Sequence, residues 1–268
     1  MNRGEALPHW RCSGSDMTSI SPERSDSESL PEISVVLPAH NEELLLESTV
    51  ASISAELKRR GLGYEIIVIE NGSTDATPTI AQRLAGENPR LRVIGHPVGD
   101  YGEALYQGIR ASRASIIVTF DIDLFDFGFF DLAMQSLNSE NADIVIASKR
   151  AKGAQDQRPP IRRVLTFGFM MVLRALVDLR VTDAHGMKLL RGAVVVPITD
   201  RCVMRGSLFD VELVVRASKV NARIMEIPVS VRELRPPRTG VVHRILESLQ
   251  GAVRLRAILN ADEKRNNR

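Results

Sequence analysis

Ser115-Ile116-Ile117-Val118-Thr119-Phe120-Asp121-Ile122-Asp123 is the stretch whose reading decides the fold. Its first six residues are mostly apolar and β-branched, the pattern of a buried strand. Two carboxylates one residue apart follow at once, so they fall at the strand's C-terminal end. In an open α/β sheet, that edge is where ligands bind. Carboxylate oxygens placed there suit a hard divalent cation, which in turn holds phosphate oxygens. A lone D-x-D pair is common on surfaces, so its weight depends on its neighbours.

Those neighbours alternate strand and helix. Strands are expected at 33–37, 65–69, 91–94, 116–120 and 143–147, and helices at 42–60, 75–84, 102–112 and 129–137. The first helix carries Leu46, Val50, Ile53 and Leu57 on one face. Short connections in a βαβα rhythm predict a parallel sheet covered on both faces. After residue 150 the rhythm changes. A polar loop at 152–160 leads to an apolar helix at 161–178 and a loop at 183–186. A strand-like run at 193–198, a helix at 209–220 and a strand at 223–231 follow. A Pro-rich loop at 233–240 precedes a last helix at 241–259.

The net charge of +2 argues against wholesale nucleic-acid binding. Basic residues nevertheless gather locally. Lys149, Arg150, Lys152, Arg158, Arg162 and Arg163 face only Asp156, and Arg232, Arg235 and Arg238 surround Pro236-Pro237. Both clusters suggest anion sites, although the first is also what a solvated loop looks like. Cys12 and Cys202 form no disulfide framework and no metal-type spacing, which fits a reducing cytoplasm. Residues 1–31 lack an apolar signal core and read as a disordered tail. No apolar run is long enough to span a membrane. The nearest, 164–177, carries Arg174.

Two further strand ends carry polar residues. Pro38-Ala39-His40-Asn41-Glu42 precedes a helix whose first amides can bind an anion, or which Asn41 can cap. Glu70-Asn71-Gly72-Ser73-Thr74-Asp75 offers a tight turn at Gly72, a cap at Ser73 or Asp75, and an acid for a ribose or base.

Together with Asp121-Ile122-Asp123-Leu124, these segments resemble the inverting family 2 glycosyltransferases with the GT-A fold. Within them the chain looks most like the dolichol- or polyprenyl-phosphate hexosyltransferase branch. The series continues with Ile146-Ala147-Ser148-Lys149-Arg150, Asp183-Ala184-His185-Gly186-Met187-Lys188, Phe209-Asp210-Val211-Glu212-Leu213 and Glu226-Ile227-Pro228-Val229. The resemblance spans roughly residues 32–235 and implies a mixed, mostly parallel, Rossmann-like sheet flanked by helices. The GT-A domain would occupy 32–240, with a basic amphipathic helix and tail at 241–268.

The implied chemistry is metal-dependent transfer of a hexose from a nucleotide-diphospho-sugar to a phosphorylated acceptor, polyprenyl phosphate foremost. A soluble acceptor, or a catalytically weak scaffold that binds nucleotide-sugar, are the alternatives. Carried over by residue, Pro38, Ala39, Asn41 and Glu42 would line the nucleotide pocket, with Glu70 or Asn71 facing the base and ribose. Asp121 and Asp123 would hold Mg²⁺ or Mn²⁺. Lys149, Arg150 and Arg162 or Arg163 match cations that receive the acceptor phosphate, and Lys188 falls on the same side. Arg235 and Arg238 stand where the family closes over the donor. Asp183 and His185 are the base candidates, although an ionised phosphate needs little general-base help.

The chain departs from the family pattern in three places. Glu70-Asn71 replaces two aspartates. Phe125-Asp126 stands where Gln or His is usual, with Asp126 either a further ligand or a helix cap. Gly99-Asp100-Tyr101-Gly102-Glu103 replaces a Gly/Leu-rich segment. Nucleotidyltransferases share the architecture but begin with a Gly-rich basic loop, which residues 38–42 lack.

Two helices are candidates for membrane contact. Phe167, Phe169, Met170, Met171 and Leu173 can touch a lipid tail or fill a core. The last helix sets His243, Arg244, Arg254 and Arg256 beside Ile245, Leu249, Val253, Leu255 and Leu259. Such a helix lies on an anionic membrane surface or packs as a lid. On the membrane reading the protein is peripheral on the inner face. Loss of 241–268 is then expected to harm lipid engagement more than nucleotide binding.

Overall fold

The computed structural model describes residues 30–156, 160–231 and 241–266. Arg158, Arg235, Arg238 and nearly all of the expected tail at 1–31 lie outside them, as do the side chains of Arg162, His243, Arg244 and Ile245.

The first half alternates as expected. It runs β1 (Ile33–Ala39), α1 (Leu46–Arg59), β2 (Tyr64–Asn71), α2 (Thr77–Glu87) and β3 (Leu91–His96). Then come α3 (Tyr101–Ala111), β4 (Ile116–Thr119), α4 (Phe127–Ser139) and β5 (Ile144–Ser148). The second half holds β6 (Gln155–Asp156), α5 (Pro160–Val177), β7 (Lys188–Arg191) and α6 (Gly192–Thr199). It closes with α7 (Leu208–Lys219), β8 (Ile224–Pro228), β9 (Ser230–Val231) and α8 (Val241–Asn266).

Seven strands form one sheet in the order β3-β2-β1-β4-β7-β5-β8. All pair in parallel except β7, which runs antiparallel to both β4 and β5. The sheet is therefore the mixed, mostly parallel one that the resemblance implies. β6 and β9 form a separate two-stranded parallel pair, too short to leave a periodic signal.

Strand residues alternate between two cores because successive side chains leave opposite faces. Ile33, Val35 and Leu37 join the core under α1 and α4, while Val36 joins the other, under α3, α5, α7 and α8. Burial on both faces explains why these strands read as continuous apolar runs.

Three expectations are corrected. The run at 193–198 is helix, not strand. Gly192, Val195, Ile198 and Thr199 are its buried positions, a helical spacing, and the sheet slot belongs to β7 just before it. The strand at 223–231 breaks at Val229 into β8 and β9. α1 begins at Leu46 rather than at residue 42, and Asn41 does not cap it.

α8 packs inward. Its Ala252, Leu255 and Leu259 belong to the same core as α5 and α7, whereas Val253 is exposed. α5 divides its surface instead: Met170 and Leu173 are buried, whereas Val164, Phe167, Met171 and Val172 are exposed.

Candidate active site

The parallel strands end at one edge, and their loops meet there. Asp121 and Leu124 exchange backbone hydrogen bonds of 3.1 and 3.2 Å, which folds the segment after β4 into a tight turn. Ile122 is 3 % exposed and anchors that turn in the core. Thr49 of α1 donates to the Ile122 carbonyl at 2.8 Å. Asp121 and Asp123 therefore flank a fixed residue and face the cleft together. Asp126 turns away and caps α4, accepting from Gly128 N at 2.7 Å and Phe129 N at 3.2 Å. Of its two readings, the cap is the one observed.

The loops after β1 and β2 are stitched to each other. Asn41 takes a left-handed φ of 54°, a conformation Asn tolerates. Its amide N–H donates to Ser73 Oγ at 3.0 Å, and its side chain accepts from Thr74 N at 2.8 Å. Glu42 N donates to Thr77 Oγ1 at 2.7 Å. Glu70 folds back to accept from Ser73 N at 2.7 Å. Asn71 is buried and accepts from Asp100 N at 2.9 Å, which ties β2 to the start of α3.

These contacts frame a cleft of about 880 Å³. Pro38, Ala39, Glu42, Asn71, Asp121, Asp123 and His185 line it, together with His40, Asp100, Tyr101, Arg205, Gly206 and Gly251. Asn41 and Glu70 are not among the lining residues; they hold its loops. Of the two candidates for the base and ribose, Asn71 is the one at the cleft wall.

Tyr101 donates to Asp121 Oδ1 at 2.9 Å. Burial and the neighbouring Asp123 charge outweigh that bond and push the Asp121 carboxyl up to about 6. Two close carboxylates under such pressure fit a hard divalent cation. Among the described residues no group of three or more His, Cys, Asp or Glu could hold a metal ion, so Asp121 and Asp123 are the residues here that could hold Mg²⁺ or Mn²⁺ beside a phosphate. Below about pH 6, a cation held there would have to displace the proton on Asp121. Its affinity, measured calorimetrically with Mn²⁺, is expected to fall by up to about tenfold per pH unit below about pH 6. Affinity that stays flat down to about pH 4.5 would remove Asp121 from the binding set.

The other predicted residues divide in two. Lys149, Arg150 and Arg163 line a second cavity of about 540 Å³ with Val164 and Phe167. Ser148 shapes its rim by accepting from Arg150 N and Ala151 N, and Arg150 lies over the Phe167 ring, 5.1 Å from its centroid. Lys149 Nζ also reaches Asp183 Oδ2 at 3.3 Å. Asp183 is buried, and its backbone N–H donates to Glu226 at 3.1 Å. His185 Nε2 donates to the Ser207 carbonyl at 2.8 Å, with Nδ1 3.9 Å from Asp183 Oδ1. Both base candidates are thus engaged in holding loops.

Lys188 lines neither cavity. It is 1 % exposed and pairs with the equally buried Asp210 at 2.9 Å. Cys202 is also buried, and burial pushes its thiol up to about 12, outside the nucleophile range.

A profile described as "Glycosyl transferase family 2" matches residues 34–209. The chain belongs to glycosyltransferase family 2. An uncharacterised glycosyltransferase of Mycobacterium bovis is 31 % identical over 222 residues, covering 82 % of this chain and 93 % of that protein. A dolichyl-phosphate beta-glucosyltransferase of Trichomonas vaginalis is 28 % identical over 240 residues, covering 83 % and 71 %. The fold of this family 2 enzyme is shared with glucosyl-3-phosphoglycerate synthase of Mycobacterium tuberculosis, at TM-score 0.64 and 22 % identity over 84 % and 79 % of the two chains. That structure holds Mn²⁺, uridine-diphosphate-glucose and phosphoglyceric acid.

Sequence reasoning missed His40, Tyr101 and the Met204–Leu208 side of the glycosyltransferase cleft. His40 sits inside a quoted motif but is defined by a 2.7 Å contact with the Asn71 carbonyl. The Met204–Leu208 wall arrives by tertiary approach. The only local signal was Gly102, where a Cβ would stand 2.4 Å from the Gly206 carbonyl.

Proposed function

We propose that this glycosyltransferase moves a hexose, with inversion, from a nucleotide-diphospho-sugar in the large cleft to a polyprenyl phosphate. The acceptor phosphate would lie against Lys149, Arg150 and Arg163. One observation carries the choice of acceptor. The three cations share their cavity with Val164 and Phe167, which are 66 % and 51 % exposed. An anion site that opens onto uncovered apolar side chains suits an ionised head with a hydrocarbon tail. Exposed Met171 and Val172 extend the same face of α5. No helix among the described residues is long and apolar enough to cross a membrane; on this reading contact would be peripheral, through the exposed face of α5.

In this mechanism Pro38, Ala39 and Asn71 would line the nucleotide, and Asp121 with Asp123 would hold the divalent cation that serves its diphosphate end. The cation, when bound, neutralises charge as the nucleoside diphosphate leaves. The acceptor phosphate oxygen attacks the anomeric carbon on the face opposite the leaving group. It arrives ionised, so neither His185 nor Asp183 has to take a proton. Lys149 links the two cavities, because its partner Asp183 lies in the turn that also carries His185.

The test is a donor panel assayed with Mn²⁺ or Mg²⁺, with polyprenyl phosphate or a soluble phosphorylated acceptor such as phosphoglycerate. Faster transfer to the prenyl phosphate is expected. The reverse order would favour the soluble acceptor, which has its own support in the phosphoglyceric acid bound by the structural neighbour. Replacing Arg150 and Arg163 together with Ala is expected to raise the acceptor KM about ten- to a hundredfold, the cost of roughly 1.5–3 kcal/mol for lost charge-assisted bonds. Nucleotide affinity should hardly move. An equal loss of nucleotide affinity would place these arginines on the donor.

A further inference from the structure

The wall of the cleft formed by Met204, Arg205, Gly206 and Ser207 has no regular structure of its own. It is held from two sides. On the cleft side, Asp100 Oδ1 accepts from Gly206 N at 2.8 Å, and Arg205 pairs with Glu103. Behind it stands Glu212 of α7, which is 0 % exposed. One oxygen of Glu212 accepts from both Val203 N and Met204 N, at 2.9 and 2.6 Å. Its other oxygen accepts from Arg216 Nε at 2.7 Å. Arg216 continues outward, with Nη1 2.8 Å from Asp262 Oδ2 of α8. A second attachment lies three turns earlier on α8. Gly251 lines the cleft, and a Cβ there would stand 2.3 Å from Leu208 Cδ1 and 3.4 Å from Met204 Cε.

We infer that α8 is part of the donor site, with Asp262, Arg216 and Glu212 acting as a positioning relay that sets the loop at 203–207. The inference rests on reading the large cleft as the donor site. A buried carboxylate holds two backbone amides in place only while its charge is balanced, and Arg216 balances it. Arg216 has a planar fork, and the two carboxylates on it fix its direction. Without Asp262 the fork is free to rotate, and the grip of Glu212 on Val203 and Met204 loosens. The loop then loses its rear support, while the acceptor cavity at Lys149 and Arg163 keeps its own contacts. This reverses the expectation for the C-terminus: the helix serves nucleotide binding before lipid engagement.

The experiment compares the full-length protein with Asp262→Ala, Asp262→Asn and Asp262→Glu. The last keeps the charge and serves as the rescue. Hydrogen exchange at the Val203 and Met204 amides reads the relay, and binding of UDP and GDP with Mn²⁺ reads its consequence. Asp262→Ala and Asp262→Asn are expected to speed exchange at those two amides and to weaken nucleotide binding about tenfold, as loss of an outer partner does elsewhere. Acceptor KM, and kcat at saturating donor, should stay at wild-type values, and Asp262→Glu should recover most of the loss. Unchanged exchange at Val203 and Met204, or nucleotide binding within about twofold of wild type, overturns the relay. So does a loss shared equally by donor and acceptor, which marks general destabilisation. If the wild-type protein binds no nucleoside diphosphate at all, the donor reading fails, and the exchange data still decide the relay.

Discussion

Asp121→Ala and Asp123→Ala are each expected to cut sugar transfer by about a thousandfold and to abolish Mn²⁺-dependent nucleotide binding. The two carboxylates flank the buried Ile122 at the end of β4, and a tight turn closed at Leu124 holds them there. Neither carboxylate supports the core, so the fold should survive. Asp121 carries its proton more readily in the folded chain than in the unfolded one, with a value near 6 against 3.8. Protonation therefore favours the folded state, and at neutral pH the carboxylate opposes folding. Removing it should leave the melting temperature level or raise it. The measurements are turnover, nucleotide titration with and without Mn²⁺, and thermal melting. Near-normal turnover in both variants would show that the pair does not hold the donor.

The second large effect concerns stability. Lys188→Met is expected to cost about 3–5 kcal/mol, because it strands Asp210 as an unpaired buried carboxylate. For a chain of this size, that is a fall of about 10 °C in melting temperature. Lys188 and Asp210 are 1 % and 2 % exposed. Their pairing joins the first residue of β7 to the first turn of α7 under the cleft floor. Changing Asp210 to Leu as well removes the stranded charge and should recover much of the loss. A single Lys188→Met variant that melts like wild type would show that the pair contributes nothing. A double variant no better than the single one would point to packing rather than charge.

The first half of the fold was legible because its strands are buried on two faces and its helices carry one apolar stripe each. The run at 193–198 was not. Val194, Val195 and Val196 give a β-branched signal in either conformation, and only the occupied sheet slot at β7 decides against a strand. β7 was itself hidden, since it opens on Lys188 and closes on Arg191, and a buried lysine looks like a surface cation until its partner is seen. In the site, the strand-end motifs pointed to Pro38, Ala39, Asn71, Asp121 and Asp123, which the structure places together on the cleft wall, because those loops belong to local units. Asn41 and Glu70 sat in the right motifs with other duties, bonding loop to loop. The wall at Met204–Leu208 and the α8 contact at Gly251 depend on approach between distant segments, which no window of sequence records.

The antiparallel seat of β7 has a consequence for how such an enzyme can change. Residues 149–186 depart at the end of β5 and return at the start of β7, and these two points touch, with Ala147 N 2.9 Å from the Met187 carbonyl. An excursion whose exits already adjoin can be lengthened or exchanged at little entropic cost, since closure depends only weakly on length. Everything proposed to grip the acceptor lies on that excursion, and the carboxylates assigned to the donor lie before it. On the proposed reading, acceptor choice is separable from sugar activation: a grafted segment that kept His185 could redirect the product while inheriting the rest of the nucleotide pocket.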